Sequence, residues 1–306
     1  MRPDHVWGQL HELLSSAHER VVLVAPFIKK EVFAAALAAI GDRDVELLCV
    51  TRWAVMEIAA GVTDPEIAEL AEQDDRVTVR LCHDLHAKLY VADERCLVGS
   101  ANLTGRATGR RLPKNLELLV EVPTGHPEVQ SVLEQIQQTA IPADVEMARQ
   151  LRSQANLLAS AVDRSEFVVV VDEEADSKRA RWRPETRVPL RLYPVYQGLK
   201  CDYPNEILAG VARDLAYLNI QPGLDEAAFS QAVRSRLYEL PEVTALAVGG
   251  SLSLATLQRS IMEADGREEE AAKRAAENIA EWLSYFDEVQ IVPTGPWEIR
   301  RGRELA

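Results

Sequence analysis

Basic residues, cysteine pairs and long apolar runs are all scarce in this chain of 306 residues. Four cysteines, Cys49, Cys82, Cys96 and Cys201, stand apart with no CxxC among them. That excludes the usual zinc and dithiol spacings and leaves small buried apolar residues in a reducing compartment. No apolar run approaches the roughly 18 residues that a membrane span needs. The opening MRPDHVWGQLHELL mixes both charges into a helical pattern instead of the basic-then-apolar order of a signal peptide, so a cytoplasmic protein without a membrane partner is expected. Lys and Arg number 34 against 48 Asp and Glu, for a formal net charge of -14. Such a field repels phosphate backbones, so any nucleic-acid binding must rest on a local basic patch.

What is present is an ordinary globular composition, 47% hydrophobic and 27% charged, in a length that suits two domains. Apolar residues at helical spacing over 4–18 lead into the strand VVLVAP (21–26), and KKEVFAAALAAI then reads as a helix stopped by Gly41. The strands VELLCV (45–50) and VTVRLC (77–82) follow, separated by short helices, one of them started by Asp64-Pro65. This alternation predicts an α/β domain with a mixed sheet flanked by helices. HAKLYVAD and RCLVGS read as a strand pair turning at Asp93-Glu94, LELLVEV (116–122) as one more strand, and helices are expected over 127–138 and 144–162.

FVVVVDEE opens a different texture. Residues 176–191 carry Lys178, Arg179, Arg181, Arg183, Arg187 and Arg191, which fits either a solvated or mobile face or a phosphate-contacting surface. From Pro204 the chain reads as mainly helical and ends in a hairpin, VQIVP and WEIRR. A winged-helix-like module fits this order, as do other helix-rich scaffolds. The expected domains are 1–162, catalytic, and 163–306, binding nucleic acid or a partner.

The chemistry gathers in LHAKLYVADERCLVGSANLT (85–104). Alternate strand residues share a face, so His86 and Lys88 project together, an imidazole beside an ammonium. Lysine binds a phosphate oxygen as a point charge while a neutral imidazole nitrogen attacks phosphorus. Ser100 and Asn102 offer further donors, and Gly99 lets the backbone come close. A zinc site through Cys82, His83 and His86 has neither a standard spacing nor a fourth ligand.

The frame HxKx₄Dx₆GSxN, running through His86, Lys88, Asp93, Ser100 and Asn102, resembles the HKD signature of the phospholipase D superfamily. VVLVAPFIKKEVF and VELLCVTRW are similar to its first two strands, so the resemblance covers about residues 5–140. It implies that His86 forms a phosphohistidine, with no metal or other cofactor, and that Glu117 holds the other ring nitrogen. Asp93, in the turn, is expected to be structural. The family reaction needs two histidines, yet no second HxK exists among His5, His11, His18, His83 and His126. A homodimer sharing one active site is therefore expected.

Residues 103–114, LTGRATGRRLPK, add Arg106, Arg110, Arg111 and Lys114 without an acid, a candidate clamp for a phosphate backbone that Lys29 and Lys30 would extend. Single-motif soluble relatives are typically nucleases. The resemblance thus points to a DNA endonuclease, with DNA favoured over RNA, working in restriction or phage defence alongside other proteins of such a system. A nucleic-acid-binding subunit with little activity and a phospholipid phosphodiesterase are the alternatives.

Overall fold

The computed structural model describes residues 5–161, 182–244, 251–286, 289–292 and 298–301. The chain divides into two units, Met1–Arg152 and Ser153–Ala306. FVVVVDEE, Lys178, Arg179 and Arg181 lie outside the described residues.

The first unit is built on a seven-stranded sheet in the order β6-β5-β4-β1-β2-β3-β7. In chain order its elements are α1 (His5–Ser15), β1 (Arg20–Val24), α2 (Lys30–Ile40), β2 (Glu46–Thr51), α3 (Val55–Ala59), α4 (Ile67–Ala71), β3 (Val77–Leu81), β4 (Leu89–Ala92), β5 (Arg95–Gly99), β6 (Leu119–Pro123), α5 (Pro127–Thr139), β7 (Ile141–Pro142) and the start of α6 (Val145–Ala161), whose residues from Ser153 on belong to the second unit. Strands β1, β2 and β3 are parallel, and β4 runs antiparallel to β1. Val21 to Val24 and all of β4 are buried, as continuous apolar strands must be when both sheet faces are covered. On one face Val22, Val24, Val50, Leu89, Val91 and Cys96 pack with Val129 and Ile136 of α5. Each such aliphatic side chain contributes about 1.5–3 kcal/mol when buried.

The strand registers place the site. Val24 at the end of β1 lies opposite Leu89 at the start of β4, Leu89 opposite Val98 of β5, and Gly99 opposite Leu119 of β6. One end of the sheet therefore collects the Pro26-Phe27 turn, His86–Lys88, Gly99–Asn102 and Glu117. Asp93 sits at the opposite end, in the two-residue turn between Ala92 and Arg95, with φ of 50°.

The second unit is mainly helical. A 3-10 turn, Pro189–Arg191, leads into α7 (Leu192–Tyr196), α8 (Asn205–Leu218) and α9 (Glu226–Tyr238). There follow β8 (Ser251–Ser253), α10 (Leu254–Asp265), α11 (Glu269–Phe286), β9 (Val289–Val292) and β10 (Glu298–Arg301). The three strands form a sheet in the order β8-β10-β9, with β9 and β10 as the antiparallel hairpin read from the sequence. Helix, strand, two helices and a hairpin is the winged-helix order. Strand β8 went unread because three residues, Ser-Leu-Ser, carry no usable periodicity. Asp225 and Ser253 cap α9 and α10 by accepting from Ala228 N (2.8 Å) and Thr256 N (3.2 Å).

The described part of the basic run, 182–191, is a strap whose Arg183 and Arg187 are paired within the second unit. The Arg183 side chain is 1% exposed and is ion-paired with Glu242, also reaching Asp265 at 4.0 Å. Arg187 lies 3.9 Å from Glu277 and 3.6 Å from Glu281. Arg191 sits 5.4 Å over the Tyr203 ring. Buried Asp214 accepts from Trp182 Nε1 (3.1 Å), Glu185 N (2.9 Å) and Thr186 N (2.8 Å), fixing the start of the strap. Burial pushes the Asp214 carboxyl up to about 7, against the pull of those donors.

Candidate active site

His86 and Lys88 precede β4 rather than opening it, in chain without regular structure. They still meet. Lys88 Nζ lies 3.2 Å from His86 Nε2 and donates to the His86 carbonyl at 2.8 Å. Lys88 is half-buried and His86 is exposed.

The segment is held from outside. Arg52, just beyond β2, donates to the Leu85 carbonyl at 3.0 Å and is itself ion-paired with Glu57. Its guanidinium stands 5.7 Å over Phe27. Arg52 was read only as part of a strand-like run. Nothing local in VELLCVTRW says that its side chain reaches a carbonyl 33 residues on.

Beside His86 the next crossing is tight. A Cβ on Gly99 would stand 1.9 Å from the Leu118 carbonyl oxygen, so only glycine lets β5 and the entry to β6 close. Ser100 N donates to that same carbonyl at 3.0 Å. The Ser100 hydroxyl donates to Glu117 Oε2 at 2.5 Å, while Asn115 Nδ2 donates to Glu117 Oε1 at 3.1 Å. Glu117 thus joins Ser100 and Asn115. Asn102 Oδ1 accepts from Phe27 N at 3.3 Å, which turns its NH₂ away from the Pro26-Phe27 turn as a donor. Leu103 N donates to Phe27 O (3.2 Å) and Lys29 N to Leu103 O (3.0 Å), docking that turn onto the motif. Below them buried Tyr90 donates to Ala101 O at 2.7 Å; burial and the nearby Glu117 charge raise its pKa.

Asp93 is brought nowhere near this cluster. Its carboxylate accepts from the backbone N–H of His18 (2.8 Å), Glu19 (3.0 Å) and Arg20 (2.9 Å) at the entry to β1. Partial burial works against the charge, but the three donors prevail and hold the carboxyl below its usual range.

Arg106, Arg110, Arg111 and Lys114 are exposed on the loop between Asn102 and Glu117. Among the described residues no carboxylate lies within ion-pair distance of Arg106, Arg110 or Arg111. Lys29 and Lys30 differ. Lys29 Nζ is 2.5 Å from Asp64 Oδ1, and Lys30 Nζ 2.6 Å from Glu69 Oε2. Among the described residues no group of three or more His, Cys, Asp or Glu is arranged to hold a metal, and no helix is long and apolar enough to cross a membrane.

Residues 10–139 match the family described as "Cardiolipin synthase, PLD-like domain". No curated protein matches the chain. Among solved structures, NucT from Helicobacter pylori is 15% identical with a TM-score of 0.37, covering 46% of this chain and 92% of its own. The phospholipase D family member Nuc from Salmonella typhimurium is 20% identical with a TM-score of 0.35, covering 45% of this chain and 90% of its own. Phosphatidylserine synthase from Haemophilus influenzae Rd KW20 is 15% identical with a TM-score of 0.38, covering 52% of this chain and 42% of its own. The family match spans the whole HKD frame, so residues 10–139 are similar to a PLD-like domain.

Proposed function

We propose that this protein is a metal-independent phosphodiesterase that cleaves DNA through a phosphohistidine on His86. The observation that carries the reading is the Lys88 ammonium 3.2 Å from His86 Nε2, on a sheet end bordered by a loop of exposed arginines. Lys88 and the Asn102 NH₂ bind the non-bridging oxygens. Nε2 attacks phosphorus, the bond to the leaving oxygen breaks, and a second histidine protonates that oxygen. Water then attacks the phosphohistidine, giving up its proton to the same second histidine. Glu117 keeps Ser100 and Asn115 in place at the rim, and Asp93 and Gly99 serve the backbone.

The second histidine comes from another copy of the chain, since this one has a single HxK. An apolar surface supports that reading. Leu112, Leu116, Leu118 and Val120 are 80%, 91%, 62% and 48% exposed along the approach to and start of edge strand β6, flanking Glu117. Unpaired edges with apolar side chains are normally covered.

Arg106, Arg110, Arg111 and Lys114 grip the substrate backbone, whereas Lys29 and Lys30 contribute little while Asp64 and Glu69 neutralise them. The compartment is the cytoplasm, and the cellular role is restriction or phage defence together with partner proteins. A phospholipid phosphodiesterase is the second reading, favoured by the wording of the matched family.

Purified protein is expected to cut single- or double-stranded DNA in EDTA, and His86→Ala to abolish the cutting. Intact DNA across pH and salt, or cleavage that survives His86→Ala, would sink the proposal. Headgroup release from vesicles without DNA cleavage would establish the second reading instead.

A further inference from the structure

We propose that Trp7 is a positioning residue that holds Arg110 ready to bind a phosphate of the nucleic-acid backbone; this rests on the nuclease reading above. Helix α1 touches the basic loop at two places near its first turn. Trp7 N donates to Thr108 O at 3.2 Å, and the Arg110 guanidinium carbon lies 4.3 Å from the centre of the Trp7 ring. Two residues further on, Gln9 Nε2 donates to the Leu119 carbonyl at 3.3 Å, tying the same helix to the strand that the loop enters.

The loop itself is closed rather than open. Arg111 N donates to Gly105 O at 2.8 Å and Asn115 N to Arg106 O at 3.1 Å. The Thr108 hydroxyl, fully buried, donates to Thr104 O at 2.7 Å. Thr108 and Ala107 thus face inward while Arg106, Arg110 and Arg111 face out.

A guanidinium resting on an indole is attracted by the ring quadrupole without using its N–H donors. Those donors remain for a phosphate. Because the ring restrains the long arginine side chain beforehand, less rotamer freedom is lost when the backbone arrives. Asp or Glu at position 7 would restrain Arg110 equally well but would neutralise it toward phosphate. An aromatic ring is the restraint that leaves the charge available.

The test uses the full-length chain and a DNA substrate, with KM, kcat, the slope of log affinity against log salt and the thermal midpoint measured for Trp7→Ala, Trp7→Phe, Arg110→Ala and the double variant Trp7→Ala/Arg110→Ala. Arg110→Ala is expected to weaken binding about 5–10-fold and to reduce the salt slope by about one. Trp7→Ala is expected to raise KM about threefold with kcat unchanged, Trp7→Phe to restore most of that loss, and the double variant to match Arg110→Ala alone. Additive losses in the double variant, or a KM unmoved by Trp7→Ala, would overturn the role of Trp7 and leave the nuclease reading intact. Equal losses for Trp7→Ala and Trp7→Phe accompanied by a lowered thermal midpoint would reduce it to packing. A wild type that neither binds nor cuts DNA would overturn both.

Discussion

Two segments of this chain are rich in arginine, and they use it in opposite ways. In the loop 104–115 the arginines point outward, and the contact described for Arg110 is an aromatic ring. In the strap 182–191 Arg183 and Arg187 are matched by Glu242, Asp265, Glu277 and Glu281 from elements that arrive much later in the chain. An arginine whose charge is matched internally is tied to the fold, and one whose charge is not matched keeps it available to a ligand. Counting basic residues along a sequence does not separate the two cases.

The sharpest way to break this contrast is in the strap. Arg183→Ala leaves buried Glu242 without its guanidinium and is expected to lower stability by about 3–5 kcal/mol, seen as a shifted denaturation midpoint, with DNA affinity unchanged while the protein remains folded. Weakened DNA binding by a folded Arg183→Ala protein would erase the distinction. The converse is the triple variant Arg106→Ala/Arg110→Ala/Arg111→Ala. It should lose about a hundredfold in DNA affinity and about three from the salt slope, while unfolding within roughly 0.5 kcal/mol per site of the wild type.

Asp93 lends a finer contrast, a charge in the signature that serves the backbone. Asp93→Asn keeps a residue that tolerates positive φ but loses the charge toward three N–H donors, so a loss of about 1–2 kcal/mol at neutral pH is expected, with kcat unchanged. Its folded carboxyl titrates below the unfolded value, so the stabilisation is complete above the unfolded pKa and disappears as pH falls through the folded one. The gap between wild type and variant should therefore close in strong acid. The smallest effect belongs to Lys30→Ala. It breaks an exposed pair with Glu69 and should change stability by less than about 1 kcal/mol and leave the salt slope where it was.

Much of the first unit was legible because its signals are local. Apolar runs mark β1 to β3, the Asp93-Glu94 turn separates β4 from β5, and a fixed frame of polar residues names the superfamily. The C-terminal hairpin was equally plain, whereas β8 is too short for any pattern to show. What stayed hidden depends on partners distant in sequence. The resemblance alone puts Glu117 on the histidine ring, and its bonds to Ser100 and Asn115 have no sign in the sequence. Arg52 and Trp7 carry no local signal at all, since each acts on a segment that only the sheet brings alongside. The acidic partners of Arg183 and Arg187 are hidden for the same reason.

The central claim is that His86 is the nucleophile of a shared site, and the direct measurement is mass spectrometry of protein quenched without acid during turnover of DNA in EDTA. The account predicts a phosphoryl or nucleotidyl group on His86, reaching at most one per two chains and absent from His86→Ala. A protein that cuts DNA with no adduct on His86, or with His86 labelled on every chain, would contradict it.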